Sequence, residues 1–292
     1  YKMLGGPVRD RIKVYASGNT WARLPEMKGK PLHEQAKLLK EMGWTGMKFG
    51  PQAVDMVMEP PSVVWREVEK SPIREYEESI ERVRLVREAV GPDFNICLDF
   101  HGKSFSPADA IRLAKGIEPF HPYFLEEPAL TENPDQLVEV KTQTSIPIAG
   151  GERVVHRDLF KDVISKRAVD IIQLEPTACG GILETVKRAA VAELSNIQLA
   201  PHHACSPVAL CACAQIDAVV PNFLIQEVNN DVTSSFNQEL FSPLPVIANG
   251  YMALPEGPGL GIDLNEEAAA AYPPKDWDRP VIIKPDGSIG LE

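Results

Sequence analysis

The sequence predicts an α/β fold, specifically a TIM-type (β/α) barrel, and three observations carry that prediction. From Arg11 onward, short β-rich apolar runs alternate with amphipathic stretches of about a dozen residues, the pattern of βα units around a parallel sheet. Eight such runs can be counted before the alternation stops. Polar residues interrupt them in one kind of place, the C-terminal end of each run, and a length of 292 residues suits a barrel closed as a single domain.

The first strand is read as "RIKVYAS" at 11–17, followed by the amphipathic run "PLHEQAKLLKEMG" and by a second strand, "GMKFG", at 46–50. The connection after it is long. Segment 51–73, with Pro51, Pro60, Pro61 and Pro72, reads as an active-site loop inserted ahead of the helix "EYEESIERVRLVREAVG". The third strand, "FNICLDF" at 94–100, leads to the helix "SPADAIRLAKGIEPF", which opens on Ser106 and Pro107 as a helix N-terminus should. Strands follow at 123–128 ("YFLEEP"), 146–152 ("IPIAGGE"), 169–175 ("VDIIQLE"), 197–202 ("IQLAPH") and 223–228 ("FLIQEV"), with the helix "GGILETVKRAAVAELSN" between the sixth and seventh. The barrel is thus placed at 11–228. Residues 229–292 lose the alternation and become rich in Pro and Gly, as in "LPEGPGLGIDLNEE".

Composition narrows the function. With 41 acidic against 30 basic residues the net charge is −11, which argues against nucleic acid and anionic membrane surfaces as partners. A small anionic substrate stays open, because a local metal ion can dominate the field of a site. No apolar run has the length of a membrane span and the start has no signal-peptide pattern, so a cytoplasmic protein is expected. The five cysteines are odd in number and lie in apolar or strand-like surroundings; buried thiols in a reducing compartment fit better than a metal site at Cys211 and Cys213.

The polar residues at the strand ends are Lys48, Asp99 with His101, Glu126, Glu152, Glu175, His202 and Glu227. From Asp99 the steps are 27, 26, 23, 27 and 25 residues, one βα unit each. In a barrel these positions converge on one mouth, the face that carries the chemistry. Asp99 and His101 share a strand face by the period of two, and only one of Glu126 and Glu127 can look inward; the step to Glu152 favours Glu126. Three carboxylates on consecutive strands suit a hard divalent cation, Mg²⁺, with sites left open for substrate. Taken singly, each acid could equally pair with a neighbouring base or cap a helix. Lys48, Lys103 and Arg153 could bind substrate oxygens or neutralise nearby acids. His33 and His156 lie on or at the start of helices, His121 precedes a strand, and His203 faces away from its neighbour His202.

The ordered set "LDFHG", "LEEP", "GGER", "APHH" and "IQE", with "MLGGPVRDRIKVYASG" at the start and "PGLGIDLNE" near the end, resembles the enolase superfamily. The likeness is to its mandelate racemase subgroup, nearest to galactonate dehydratase and related acid-sugar dehydratases. The resemblance implies that Asp99, Glu126 and Glu152 bind Mg²⁺, that His202 abstracts the proton α to the substrate carboxylate, and that His101 is the acid that helps the β-hydroxyl leave. It places Glu227 beside the substrate carboxylate, Lys48, Lys103, Arg153 and His203 among candidate substrate contacts, and Glu175 where an aspartate usually orients the base histidine. Glutamate there is a departure that adds a methylene.

By the same resemblance a racemase would carry a second lysine where this chain has Gly50, so one face of the α-carbon lacks an evident base and dehydration to a 2-keto-3-deoxy acid is favoured. An epimerase or other lyase on a hydroxy acid, or a non-catalytic barrel, are the alternatives. Mannonate dehydratase shares the Asp-x-His but draws a tyrosine base from the long loop, and 51–73 contains no Tyr. Family members begin with an α+β cap of which residues 1–10 resemble only the junction, with 229–292 expected to pack on the barrel and complete the cap. By that resemblance, most of the cap is expected to be missing from this chain. The resemblance also implies a homo-oligomer acting on a small acid sugar.

Overall fold

The computed structural model describes residues 1–292 except 23, 53–55, 60–63, 103–105, 230–231, 275–280 and 291–292. Eight strands form the barrel: β1 (Arg11–Ala16), β2 (Gly46–Phe49), β3 (Asn95–Asp99), β4 (Phe124–Glu126), β5 (Ile148–Gly150), β6 (Ile171–Ile172), β7 (Gln198–Leu199) and β8 (Gln226–Val228). Each pairs in parallel with the next from β1 to β7. Closure comes from β8 pairing in parallel with β1, Val14 opposite Gln226, and from a parallel bridge between Leu199 and Phe223.

Helices α1 (Leu32–Glu41), α2 (Pro72–Val90), α3 (Pro107–Ile117), α4 (Pro134–Lys141), α5 (Arg157–Ser165), α6 (Gly181–Leu194) and α7 (Pro207–Asp217) occupy the connections. Proline at the first turn starts α2, α3, α4 and α7, where its missing amide costs nothing. The hydroxyls of Ser71 and Ser106 cap the amides of Arg74 and Asp109 at the starts of α2 and α3.

The period of two separates two cores. Met47, Phe49, Ile96, Leu98, Leu125, Ile148, Ile172, Leu174 and Leu199 point outward and pack with the helices in the larger cluster. Tyr15, Cys97, Phe124, Ala149, Ile171, Ala200 and Ile225 form the smaller inner cluster that fills the barrel. Residues two further along from these, Asp99, Glu126, Gln173 and Glu227 among them, therefore share their inward face.

All eight expected strands are present, but several are shorter than the apolar runs suggest. The run at 123–128 pairs only over Phe124–Glu126, because Glu127 has a φ of 39° and leaves the extended region. Segment 51–73, read from the sequence as a loop, carries a hairpin of Met56–Glu59 with Val64–Glu67, and Val281–Ile283 adds to it in parallel. A second hairpin, Ile247–Ala248 with Tyr251–Ala253, extends β1 on its antiparallel side. Cys97, Cys179, Cys211 and Cys213 are buried, whereas Cys205 is exposed, contrary to the expectation of buried thiols throughout. Among the described residues, no helix is long and apolar enough to cross a membrane.

Candidate active site

The inward face of β2 delivers Lys48 to the mouth, between the outward Met47 and Phe49. Lys48 is 5 % exposed, and its ammonium meets three carboxylates, Glu126 Oε2 at 2.7 Å, Glu227 Oε1 at 2.9 Å and Asp99 Oδ2 at 3.1 Å. Burial opposes its charge, but Asp99, Glu126 and Glu227 outweigh burial and hold the pKa well above the ordinary lysine range. Glu227 feels burial too; the Lys48 and His202 charges and a hydrogen bond from Ser17 overcome it and bring its pKa to about 2. Glu126, pressed by burial and by Asp99, is pushed well above the carboxylate range despite Lys48. Gln173 Nε2 donates to its Oε2 at 2.9 Å, while Oε1 is buried without a hydrogen-bond partner.

Asp99 ends β3 and accepts the backbone amide of His101 at 3.0 Å; His101 Nε2 lies 3.2 Å from its other oxygen. His101 and Gly102 both take positive φ, 50° and 64°, a tight turn that leaves the His101 imidazole half-exposed at the rim.

Glu127 turns away from the mouth, as strand alternation requires. Thr131 Oγ1 donates to it at 2.8 Å and Arg153 Nη2 pairs with it at 3.0 Å. Burial, then the charge of Glu152, raises its pKa to about 7. Arg153 also donates to the His101 carbonyl at 3.0 Å and approaches Glu152 Oε1 at 3.6 Å. It ties the turns after β3, β4 and β5 together rather than extending into solvent. Gly151, at φ 134°, makes the turn that aims Glu152 into the mouth.

His202 follows β7 and is held from both sides. Nδ1 lies 2.9 Å from Glu175 Oε2 and Nε2 lies 3.2 Å from Glu152 Oε2. With a carboxylate at each nitrogen the protonated ring donates from both, Nδ1 to Glu175 and Nε2 to Glu152 on the side of the mouth. Burial disfavours the imidazolium, but Glu227, the Glu175 hydrogen bond and Glu152 prevail and raise its pKa to about 9. Glu175 is lowered against the effect of burial by His202 and by Thr177.

His203, a candidate substrate contact by the resemblance, has other partners in the structure. It is fully buried, Nε2 lies 3.2 Å from the Ser206 carbonyl, Nδ1 accepts the Asn229 amide at 3.3 Å, and burial lowers its pKa. Lys103 lies outside the described residues. Among the described residues no three or more His, Cys, Asp or Glu side chains converge as a ready-made cation site. The donor set still suits a hard cation: carboxylates of Asp99, Glu126 and Glu152 on three neighbouring strands, with Glu126 Oε1 unsatisfied. Gln173, Thr131, Thr177 and Ser17 were not foreseen. Gln173 had a legible signal, since "IIQLE" places a polar side chain two residues before Glu175, on the same face.

Comparison with known proteins gives the family of the barrel. The family described as Enolase C-terminal domain-like matches residues 31–268. The chain is 34 % identical to the D-galactonate dehydratase of Variovorax paradoxus (strain S110), over 99 % of this chain and 72 % of that one. It superposes on the mandelate racemase/muconate lactonizing enzyme of Jannaschia sp. CCS1 with a TM-score of 0.81 and 32 % identity, covering 100 % of this chain and 70 % of that one. An enolase of Agrobacterium radiobacter, a candidate galactarate dehydratase with bound Na and L-malate and an ordered active site, gives a TM-score of 0.84 at 28 % identity, over 100 % and 73 % of the two chains. The strand-end carboxylates and histidines described above thus sit on a barrel that belongs to the Enolase C-terminal domain-like family.

Proposed function

We propose that this barrel dehydrates an acid sugar, a galactonate-like aldonate, to a 2-keto-3-deoxy acid with Mg²⁺ as cofactor. The observation that carries the reading is the pairing of His202 with Glu175 at the same mouth as His101 and three carboxylates. The kinship to D-galactonate dehydratases supports the substrate class.

Asp99, Glu126 and Glu152 would hold the cation. When bound, Mg²⁺ supplies positive charge beside the substrate carboxylate and lowers the cost of removing its α-proton. His202 takes that proton at Nε2, with Glu175 fixing the tautomer through Nδ1. His101, half-exposed at the rim, donates the proton with which the β-hydroxyl departs as water. Lys48 and Glu227 form the charged floor against which the substrate carboxylate rests. Gly50 offers no second base, which favours elimination over racemisation.

Proton NMR in D₂O with Mg²⁺ and galactonate tests the reading. A 2-keto-3-deoxy product is expected. Absence of both product and α-deuterium across a panel of aldonic and aldaric acids would refute it.

A further inference from the structure

Thr177 has no role assigned so far, yet its hydroxyl bonds directly to Glu175. Glu175 is the N-cap of the short helix Pro176–Cys179, whose first residue, a proline, has no amide to offer. Glu175 Oε1 accepts from the Thr177 amide at 2.9 Å and from Thr177 Oγ1 at 2.6 Å. Oε2 is left for His202 Nδ1 at 2.9 Å. The same hydroxyl lies 3.8 Å from Cys205 Sγ, in the loop that follows His202. Three torsions separate a glutamate carboxylate from its backbone, and a carboxylate with one partner can rotate about the last of them. Two donors on one oxygen fix its plane.

We propose that Thr177 is a positioning residue that acts through Glu175: its hydroxyl locks Oε1, so that Oε2 holds His202 with Nε2 directed into the mouth. The proposal rests on the reading of His202 as the base.

The test uses the chain labelled with ¹⁵N-histidine, in wild-type form and as T177V, T177S, E175Q, T177V/E175Q and H202N. The His202 signals are identified by their loss in H202N. In T177V the His202 Nδ1 resonance is expected to move part of the way toward its position in E175Q, because the backbone amide still holds Oε1; T177S restores it. Deuterium exchange at the α-carbon of galactonate with Mg²⁺ gives the kinetic counterpart. T177V should lower kcat for exchange roughly tenfold to a hundredfold with KM little changed, the size usual for a residue that orients a reacting group through another. In the E175Q background the same substitution should cost nothing further.

A His202 resonance unmoved by T177V overturns the proposal whatever the activity. Equal losses in both backgrounds overturn it as well, since the hydroxyl would then merely support the fold. T177A, which removes the hydroxyl without adding a methyl, gives the same decision if the valine variant does not fold. The base assignment fails separately if H202N keeps wild-type exchange.

Discussion

His202 shows how far a single side chain depends on its neighbours. Its raised pKa, about 9 against the ordinary 6.5, means that the folded state binds a proton that the unfolded chain releases. For a cationic group shifted upward, the added stability is complete below 6.5 and lost as pH rises through 9. Wild-type protein without divalent cation should therefore lose more stability than H202N over that window in denaturant melts; parallel losses would refute the shift. H202N should also abolish α-exchange while keeping any thermal stabilisation by Mg²⁺. Tyr15 offers a contrasting case. Its hydroxyl is buried in the inner core without a hydrogen-bond partner, and burial pushes its pKa well up. Tyr15→Phe removes an unsatisfied polar group and should leave the melting temperature unchanged or higher; a marked fall would contradict this account. Individual roles were the least legible part of the sequence. Asp99, Glu126, Glu175 and Glu227 could be placed on the inward face by counting. That Arg153 would reach the His101 carbonyl depends on the turn at His101 and Gly102, whose positive φ values no periodicity encodes, and no sequence pattern places the Ser206 carbonyl and the Asn229 amide on His203.

At the scale of elements, the sequence was readable wherever burial imposes alternation. Ile96 and Leu98 outward with Cys97 and Asp99 inward is a pattern only a strand buried on both faces produces. The hairpin within 51–73 escaped because its prolines suggested an open loop, and its third strand, Val281–Ile283, lies over two hundred residues away. Turns matter as much as strands. A Cβ on Gly151 would come within 2.8 Å of Ile172 Cδ1 and 3.1 Å of the Gln173 amide nitrogen, at a φ of 134° that side chains rarely adopt. Gly151→Ala should cost about 1–3 kcal/mol in stability, the range for overpacking, and should displace Glu152 enough to depress activity more than stability alone explains. Chemical denaturation paired with an exchange assay would check both effects, and wild-type exchange in a folded variant would show that the turn does not aim Glu152.

The whole molecule concentrates like charge at one end of its barrel while carrying a net charge of −11. A cation bound there stabilises the folded state by mass action, about 2.7 kcal/mol at a hundredfold excess over Kd. For a chain of this size that corresponds to a rise of several degrees in melting temperature. Mg²⁺ should produce such a rise, and Glu126→Gln should remove most of it; an equal shift in both proteins would place the cation elsewhere. The fold was legible at this scale because six strand-end signals, from Asp99 to Glu227, recur about one βα unit apart, whereas the joining of β1 to β8 leaves no local trace in the sequence.

That joining also sets an order of events during synthesis. The mouth takes Lys48 from near the start of the barrel and Glu227 from its last strand, and the sheet closes only when Arg11–Ala16 meets Gln226–Val228. A growing chain that has not yet exposed residue 228 outside the ribosome holds nearly all the acids of the site without the strand that completes it. The full set of charges at the mouth therefore cannot be assembled strand by strand; it is complete only where the first strand meets the last.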